Sequence, residues 1–316
     1  MNLYDKKNSE IRWIPDGFHF YGPEEGMNRR KMINAVQEFF QSKSYKEVFL
    51  PSFDYTSTFT GHLSSGNTVL SLKESSGYDI SPSNDLTIQV VKGMADSNNE
   101  GSVFYIGKIV RENTKHNGRR RELLQAGAEI LGDSSIPTIR RMVSEIYQIV
   151  SSFGIEKKFE LVIGNNAVIN KIFFGLGLSN LERNYFQNLV ETKDWTRINR
   201  FLNEKNAEPE LKNRLRDMVF LKTDRLKEYP DIRDSLEEIS EICSEHNEVN
   251  PDLSLTRNLD YYTGIILQGY IEGYSEPFLT GGVYNDLFEK FAGEKKNACG
   301  YALNLDLLEE VLDNQE

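Results

Sequence analysis

Apolar residues first recur at helical spacing in Met32, Ile33, Val36, Phe39 and Phe40. They follow Pro23-Glu24-Glu25, whose proline and acids favour a helix start, so the pattern predicts an amphipathic helix over 24–42. Residues 45–50 read as a short strand stopped by Pro51, and 52–83, rich in Ser, Thr and Gly, as loop with short strand pieces. Residues 102–110 are β-branched and aromatic, a strand. Residues 112–120 are polar and contain Asn117-Gly118, a turn. Beyond it the chain alternates: Leu124, Ala126, Ala128 and Ile130 face one way, Gln125, Gly127 and Glu129 the other. The two strands predict a long antiparallel hairpin with one apolar and one polar face.

Ser134 and Ser135 can cap a helix before Pro137, with Ile139, Val143, Ile146, Ile149, Val150 and Phe153 as its buried stripe. Phe159, Leu161 and Ile163 alternate as another strand. From about 166 to 248 the pattern is helical and densely charged, as at Ile232, Leu236, Ile239 and Cys243. Strand character returns at 261–274, and a last helix begins near Asn304. This order predicts an α+β fold: a core of residues 1–165 and 249–316 around a mainly antiparallel sheet flanked by helices, with 166–248 as a helical insertion.

Composition narrows the function classes. The chain has 316 residues, 39% hydrophobic and 27% charged, an ordinary globular profile. No apolar stretch is long enough to span a bilayer, and the first residues lack the apolar core of a secretory signal. Two distant cysteines, Cys243 and Cys299, and four scattered histidines give neither a disulfide framework nor metal-site spacing. No metal or cofactor is expected, and the cytoplasm is the expected location. The net charge of −11 restricts nucleic-acid contact to a local patch at most, because wide nucleic-acid surfaces carry excess Lys and Arg.

Three constellations carry candidate chemistry. Arg111 and the run Arg119-Arg120-Arg121 stand at the hairpin mouth, with Gln125 and Glu129 on the returning strand. Arginines there can clamp phosphates and a polar stripe can read a zwitterion, or the charges simply solvate a turn. The second is Arg257-Asn258-Leu259-Asp260-Tyr261-Tyr262-Thr263-Gly264. The third runs from Gly281-Gly282-Val283-Tyr284 to Cys299-Gly300-Tyr301-Ala302, where the glycines mark turns or close backbone approach.

Together these strings resemble the histidyl-tRNA synthetases, a class II aminoacyl-tRNA synthetase family. FYIGKIVREN…GRRRELLQAGAEILG resembles motif 2, RNLDYYTG the family signature RGLDYYTG, and GGVYNDLFEKFAG the GGRYD segment. ACGYALNLDLLEEVL sits where motif 3 belongs, and Ser83-Asn84-Asp85-Leu86-Thr87 is similar to the segment RPEGT or RPDMT. The order holds from about residue 12 to 312, so the resemblance implies a class II synthetase-like core.

The resemblance also implies a histidine pocket. Asp85 and Thr87, Gln125 and Glu129, Arg257, Tyr262 and Tyr284 match the family's pocket residues, with Asp85 a shortened glutamate and Tyr261 beside Tyr262. Asp85, Gln125 and Thr87 are expected to hold the α-ammonium, Glu129 and the tyrosines the imidazole, and Arg257 and Arg111 to face the carboxylate. The nucleotide end departs from the family. Leu307 replaces the arginine of motif 3, Asn113 the motif 2 acid after Arg111, Ser83 the arginine of RPE, and Val283 that of GGRYD. Lost transition-state contacts cost roughly 2–4 kcal/mol each, so adenylation is not expected.

The match ends just after motif 3, so no anticodon-binding domain and no tRNA substrate are expected. A kept amino-acid pocket beside an eroded nucleotide site resembles the regulatory subunits of ATP phosphoribosyltransferase. That implies a non-catalytic role in the first step of histidine biosynthesis, with the short-form catalytic subunit as partner and L-histidine as possible ligand. Class II cores dimerise through the first long helix and following strand, so 24–51 is the expected homodimer interface within a hetero-oligomer. Two other readings stand beside it: a truncated synthetase-like enzyme that activates histidine or a related amino acid, and a histidine-binding or tRNA-mimicking protein with no transferase partner.

Overall fold

The computed structural model describes residues 14–60, 69–95, 100–111, 120–155, 158–221, 223–246, 249–255 and 261–315. Helix α1 (Pro23–Ser42) begins with Pro23 in its first turn, and the Gly22 N–H donates to the Glu25 carboxylate at 2.7 Å. It is followed by the short strand β1 (Lys46–Glu47). Strand β2 (Phe53–Tyr55), helix α2 (Thr56–Thr60), and strands β3 (Leu72–Lys73) and β4 (Asp79–Pro82) come next, with β2, β4 and β3 forming a small antiparallel sheet. Helix α3 (Leu86–Ala95) leads to the hairpin β5 (Gly101–Val110) and β6 (Glu122–Leu131), then helix α4 (Ile136–Ser152) and strand β7 (Phe159–Asn165).

Among the described residues, six α-helices follow: α5 (Asn166–Gly175), α6 (Asn180–Glu191), α7 (Trp195–Glu204), α8 (Pro209–Val219), α9 (Thr223–Leu226) and α10 (Pro230–Ile242). The chain re-enters the sheet with β8 (Val249–Pro251), β9 (Ile265–Ile271) and β10 (Leu279–Val283), and ends through α11 (Glu289–Ala292), β11 (Ala298–Asn304) and α12 (Leu305–Asp313). The main sheet runs β1-β5-β6-β11-β10-β9-β7-β8. Its inner pairs are antiparallel, and the pairs at its two edges, β1 with β5 and β7 with β8, are parallel. This is the expected α+β architecture, a mainly antiparallel sheet flanked by helices.

Alternation on β6 sorts the two faces. Leu124, Ala126, Ala128 and Ile130 join Met32, Val36 and Phe40 of α1, Ile139, Val143 and Ile146 of α4, and Leu305 and Leu308 of α12 in one large core. Burying each such aliphatic side chain contributes about 1.5–3 kcal/mol. The same core extends to Ile169, Phe186, Ile198, Leu215 and Ile239 of the helices between β7 and β8. The end of that helical run is pinned to α4 by His246, whose ring stacks 4.8 Å from Tyr147 and whose Nε2 lies 2.9 Å from the Ser144 hydroxyl.

Several expectations change in detail. The strand expected at 45–50 shrinks to two residues, and that at 261–274 to Ile265–Ile271. The glycine segments at 281–282 and 299–302 are the inner strands β10 and β11, not turns. Gly281 faces Tyr301 across the pair, and a Cβ on it would meet the Gly300 carbonyl oxygen at 2.5 Å, so close approach is the reason for the glycine. Ser135 sits at the N-cap of α4 without a side-chain bond there; Asp133 accepts instead from the Ser135 N–H at 2.8 Å and from the Thr138 hydroxyl. The turn at 112–119 lies outside the described residues. No helix among the described residues is long and apolar enough to cross a membrane.

Candidate functional site

The second sheet face, expected to be polar, is covered by α3 and enclosed. Asp85 precedes α3 and accepts the Ile88 N–H at 3.1 Å, the bond by which an aspartate caps a helix start. Its other oxygen accepts from the Tyr261 hydroxyl at 3.1 Å, and Asp85 is buried. One residue into the helix, Thr87 donates its hydroxyl to Glu129 Oε1 at 2.7 Å. Glu129 Oε2 accepts from the Tyr284 hydroxyl. Tyr261 packs against both Tyr262 and Tyr284, with ring centroids 4.8 and 6.0 Å apart.

Glycines make room for these polar groups. Gly300 faces Glu129 across the β6–β11 pair, and Gly127 faces Tyr105 across the hairpin. A Cβ on Gly300 would overlap the Glu129 carboxylate, and one on Gly127 the Tyr105 phenol. The Tyr105 phenol therefore occupies the space beside Gly127, its hydroxyl 3.4 Å from Thr87 Oγ1. Gly282 has φ +153°, and a Cβ there would meet the Tyr262 ring at 2.8 Å.

Enclosure changes the acid–base character. Burial pushes the Glu129 carboxyl up to about 8, although the hydrogen bonds from Tyr284 and Thr87 oppose the rise. Burial, with Glu129 beside it, also holds the Tyr284 phenol well above its ordinary value, which keeps it a donor. Near neutrality Glu129 can thus exchange a proton with a basic ligand without leaving its pocket.

Asp85, Thr87, Tyr105, Arg111, Gln125, Glu129, Tyr261, Tyr262, Thr280 and Tyr284 line this deep pocket, whose free volume is only about 20 Å3. It adjoins a cleft of about 670 Å3, and Arg111, Gln125 and Thr280 line both. Eight of the nine expected residues thus meet at one place; the ninth, Arg257, lies outside the described residues, as do Asn113 and Arg119. Sequence reasoning missed Tyr105 and Thr280 in the pocket and Gln268 in the adjoining cleft. Tyr105 had a signal, since the hairpin register sets it against Gly127; Thr280 and Gln268 had none.

Arg120 and Arg121 turn to partners within the chain. Arg120 donates to Asp306 Oδ1 at 2.9 Å and to the Tyr21 hydroxyl at 2.7 Å, while Arg121 stands 5.4 Å from the Phe18 ring. Asp306 also pairs with Arg29 at 2.8 Å, and Arg29 with Glu309 at 2.6 Å. Three positions of the nucleotide end turn inward. Ser83 is buried and donates to the Pro51 carbonyl at 2.8 Å, Val283 belongs to the main core, and Leu307 packs against it.

A family model described as histidyl-tRNA synthetase matches residues 17–308. An ATP phosphoribosyltransferase regulatory subunit from Leptospira interrogans is 36% identical, over 99% of this chain and 97% of the relative. Among solved structures, an ATP phosphoribosyltransferase regulatory subunit/histidyl-tRNA synthetase from Bacillus halodurans aligns with a TM-score of 0.79 at 18% identity, covering 95% of this chain and 83% of that one. A histidyl-tRNA synthetase from Nostoc aligns at 0.76 and 17%, covering 96% and 76%. At these identities the solved structures speak for the fold.

Proposed function

Because the chain belongs to the histidyl-tRNA synthetase family and, within it, to the ATP phosphoribosyltransferase regulatory subunits, we propose that it activates a separate catalytic subunit and senses L-histidine for it. It is a regulatory subunit and not the catalytic enzyme. One observation supports the sensing role above others: a buried carboxyl, Glu129, is held by Thr87 and Tyr284 at the end of a polar pocket, with Asp85 and Arg111 in its wall. An imidazole that displaces the Thr87 and Tyr284 side chains from Glu129, as the free volume of about 20 Å3 requires, can take over their hydrogen bonds, while Asp85 suits the ammonium and Arg111, with Arg257, the carboxylate.

Histidine then acts by binding two arrangements of the complex with different affinities, as any feedback ligand must. We assign 1–165 and 249–316 to the synthetase-like core and 166–248 to a helical insertion. The homodimer within the hetero-oligomer is assigned to 24–51, where Met27 and Phe49 are exposed. The free thiols of Cys243 and Cys299 suit a reducing cytoplasm.

The test mixes the purified chain with the short-form catalytic subunit and measures phosphoribosyl transfer with and without histidine. Transfer that depends on this chain, and inhibition that fades in Glu129→Ala, are expected. Full transfer without the chain overturns the activating role; unchanged inhibition in Glu129→Ala overturns the sensing role. Histidine-dependent exchange of pyrophosphate into ATP would restore the synthetase-like enzyme reading.

A further inference from the structure

With a free volume of only about 20 Å3, the deep pocket must widen at its Glu129 end to take an imidazole. The adjoining cleft reaches the pocket at Arg111, Gln125, Thr280 and Ala302. Gln125 stands four residues from Glu129 on β6, about 13 Å along the strand, so room gained there does not serve the imidazole. A third cavity, of about 540 Å3, lies on the β5 side, and among the described residues Tyr105 alone lines both it and the pocket. We infer that Tyr105 is the wall that yields: when histidine binds, the phenol leaves its place beside Gly127 and enters the third cavity, making room at Glu129. This rests on the histidine reading above.

The tethers of Tyr105 are the ones a ligand competes for. Its hydroxyl lies 3.4 Å from Thr87 Oγ1, near the limit of a hydrogen bond, and also donates to the Glu129 carboxyl. An imidazole arriving at Glu129 takes over the second bond and frees the phenol. Thr87 and Tyr284 also give up bonds to Glu129, but neither borders the cleft or the third cavity. Two residues along β5, and so on the same face as Tyr105, Gly107 puts no side chain in the way. The Leu86 side chain that covers Gly107 itself borders the cavity. There Leu50, Pro51 and Phe53 suit the ring, while the Ser52 and Ser83 hydroxyls can accept its O–H, so the moved group is not left unpaired. Ser83 stands where the segment it resembles carries arginine, and the shorter side chain leaves this space to the ring.

Crystal structures of the full chain with and without L-histidine test this directly, and calorimetric titration of Ser52→Trp, Tyr105→Leu and the double variant tests it in solution. Ser52 is exposed at the cavity's edge, so the tryptophan can fill the cavity with little change in the unfolding midpoint. Ser52→Trp is expected to weaken histidine binding by at least about tenfold. In the Tyr105→Leu background, where no ring has to retreat, the same substitution is expected to have no effect. Histidine bound with the Tyr105 ring still beside Gly127 overturns the yielding wall and leaves the histidine reading intact. So does Ser52→Trp that binds as the unmodified chain does, or that loses equally in both backgrounds. Absence of histidine binding to the unmodified chain overturns both readings. The crystal structures decide the point if a variant fails to fold.

Discussion

Gly300 faces Glu129 across two paired strands, and the space its side chain leaves is the space the Glu129 carboxylate fills. Gly300→Ala is therefore expected to drive the carboxylate out of place. Overpacking of this kind costs about 1–3 kcal/mol, and the variant should lose histidine binding by at least about a hundredfold. Calorimetry with histidine and denaturant unfolding measure the two effects separately; a variant that binds normally contradicts the close fit.

The raised Glu129 carboxyl has a stability consequence of definite sign. Unfolded, the group titrates near its ordinary 4.5; folded, near 8. Between these values the folded chain holds a proton that the unfolded chain releases, so stability falls as pH rises from 4.5 to about 8 and levels off above. The group's share of that fall is on the order of a few kcal/mol. Glu129→Gln, which cannot ionise, is expected to flatten the slope. Urea midpoints at pH 5, 6.5 and 8 provide the check.

Asp306 anchors the hairpin mouth to the first and last helices through Arg120, Arg29 and Tyr21. Its side chain is buried, so Asp306→Ala takes one of two carboxylate partners from Arg29, the Asp306 carboxylate from Arg120 and the acceptor from the Leu124 N–H. A loss of about 3–5 kcal/mol is expected, visible as a lower unfolding midpoint. Asp306→Asn should recover part of it by keeping hydrogen-bond capacity.

Phe49, 88% exposed beyond β1, lies in the segment assigned to self-association. Phe49→Glu is expected to weaken a homodimer by about tenfold or more while leaving the monomer's unfolding midpoint unchanged. Light scattering across a dilution series reads the result; an unaltered dimer moves the interface elsewhere.

Much of this was legible where periodicity was clean. The alternation through Gln125, Gly127 and Glu129 identified both the strand and the side that lines the pocket, because a period of two leaves no choice of face. The inner strands β10 and β11 were less legible: Gly281, Gly282 and Gly300 carry the local signature of turns, and only the tertiary neighbours Tyr301, Tyr262 and Glu129 explain them. Helix α3 went unread although its cap, Asp85, was singled out. The same carboxylate serves the helix start and the pocket, and the second role masked the first. The fate of Arg120 was hidden for a similar reason, since its partner Asp306 lies 186 residues away.

The margins of the main sheet are the two-residue β1 and the three-residue β8. Strands this short offer little main chain of their own to an added strand. A partner that meets β1 or β8 meets mainly side-chain relief, so its choice can drift with surface mutations while the sheet itself stays unchanged.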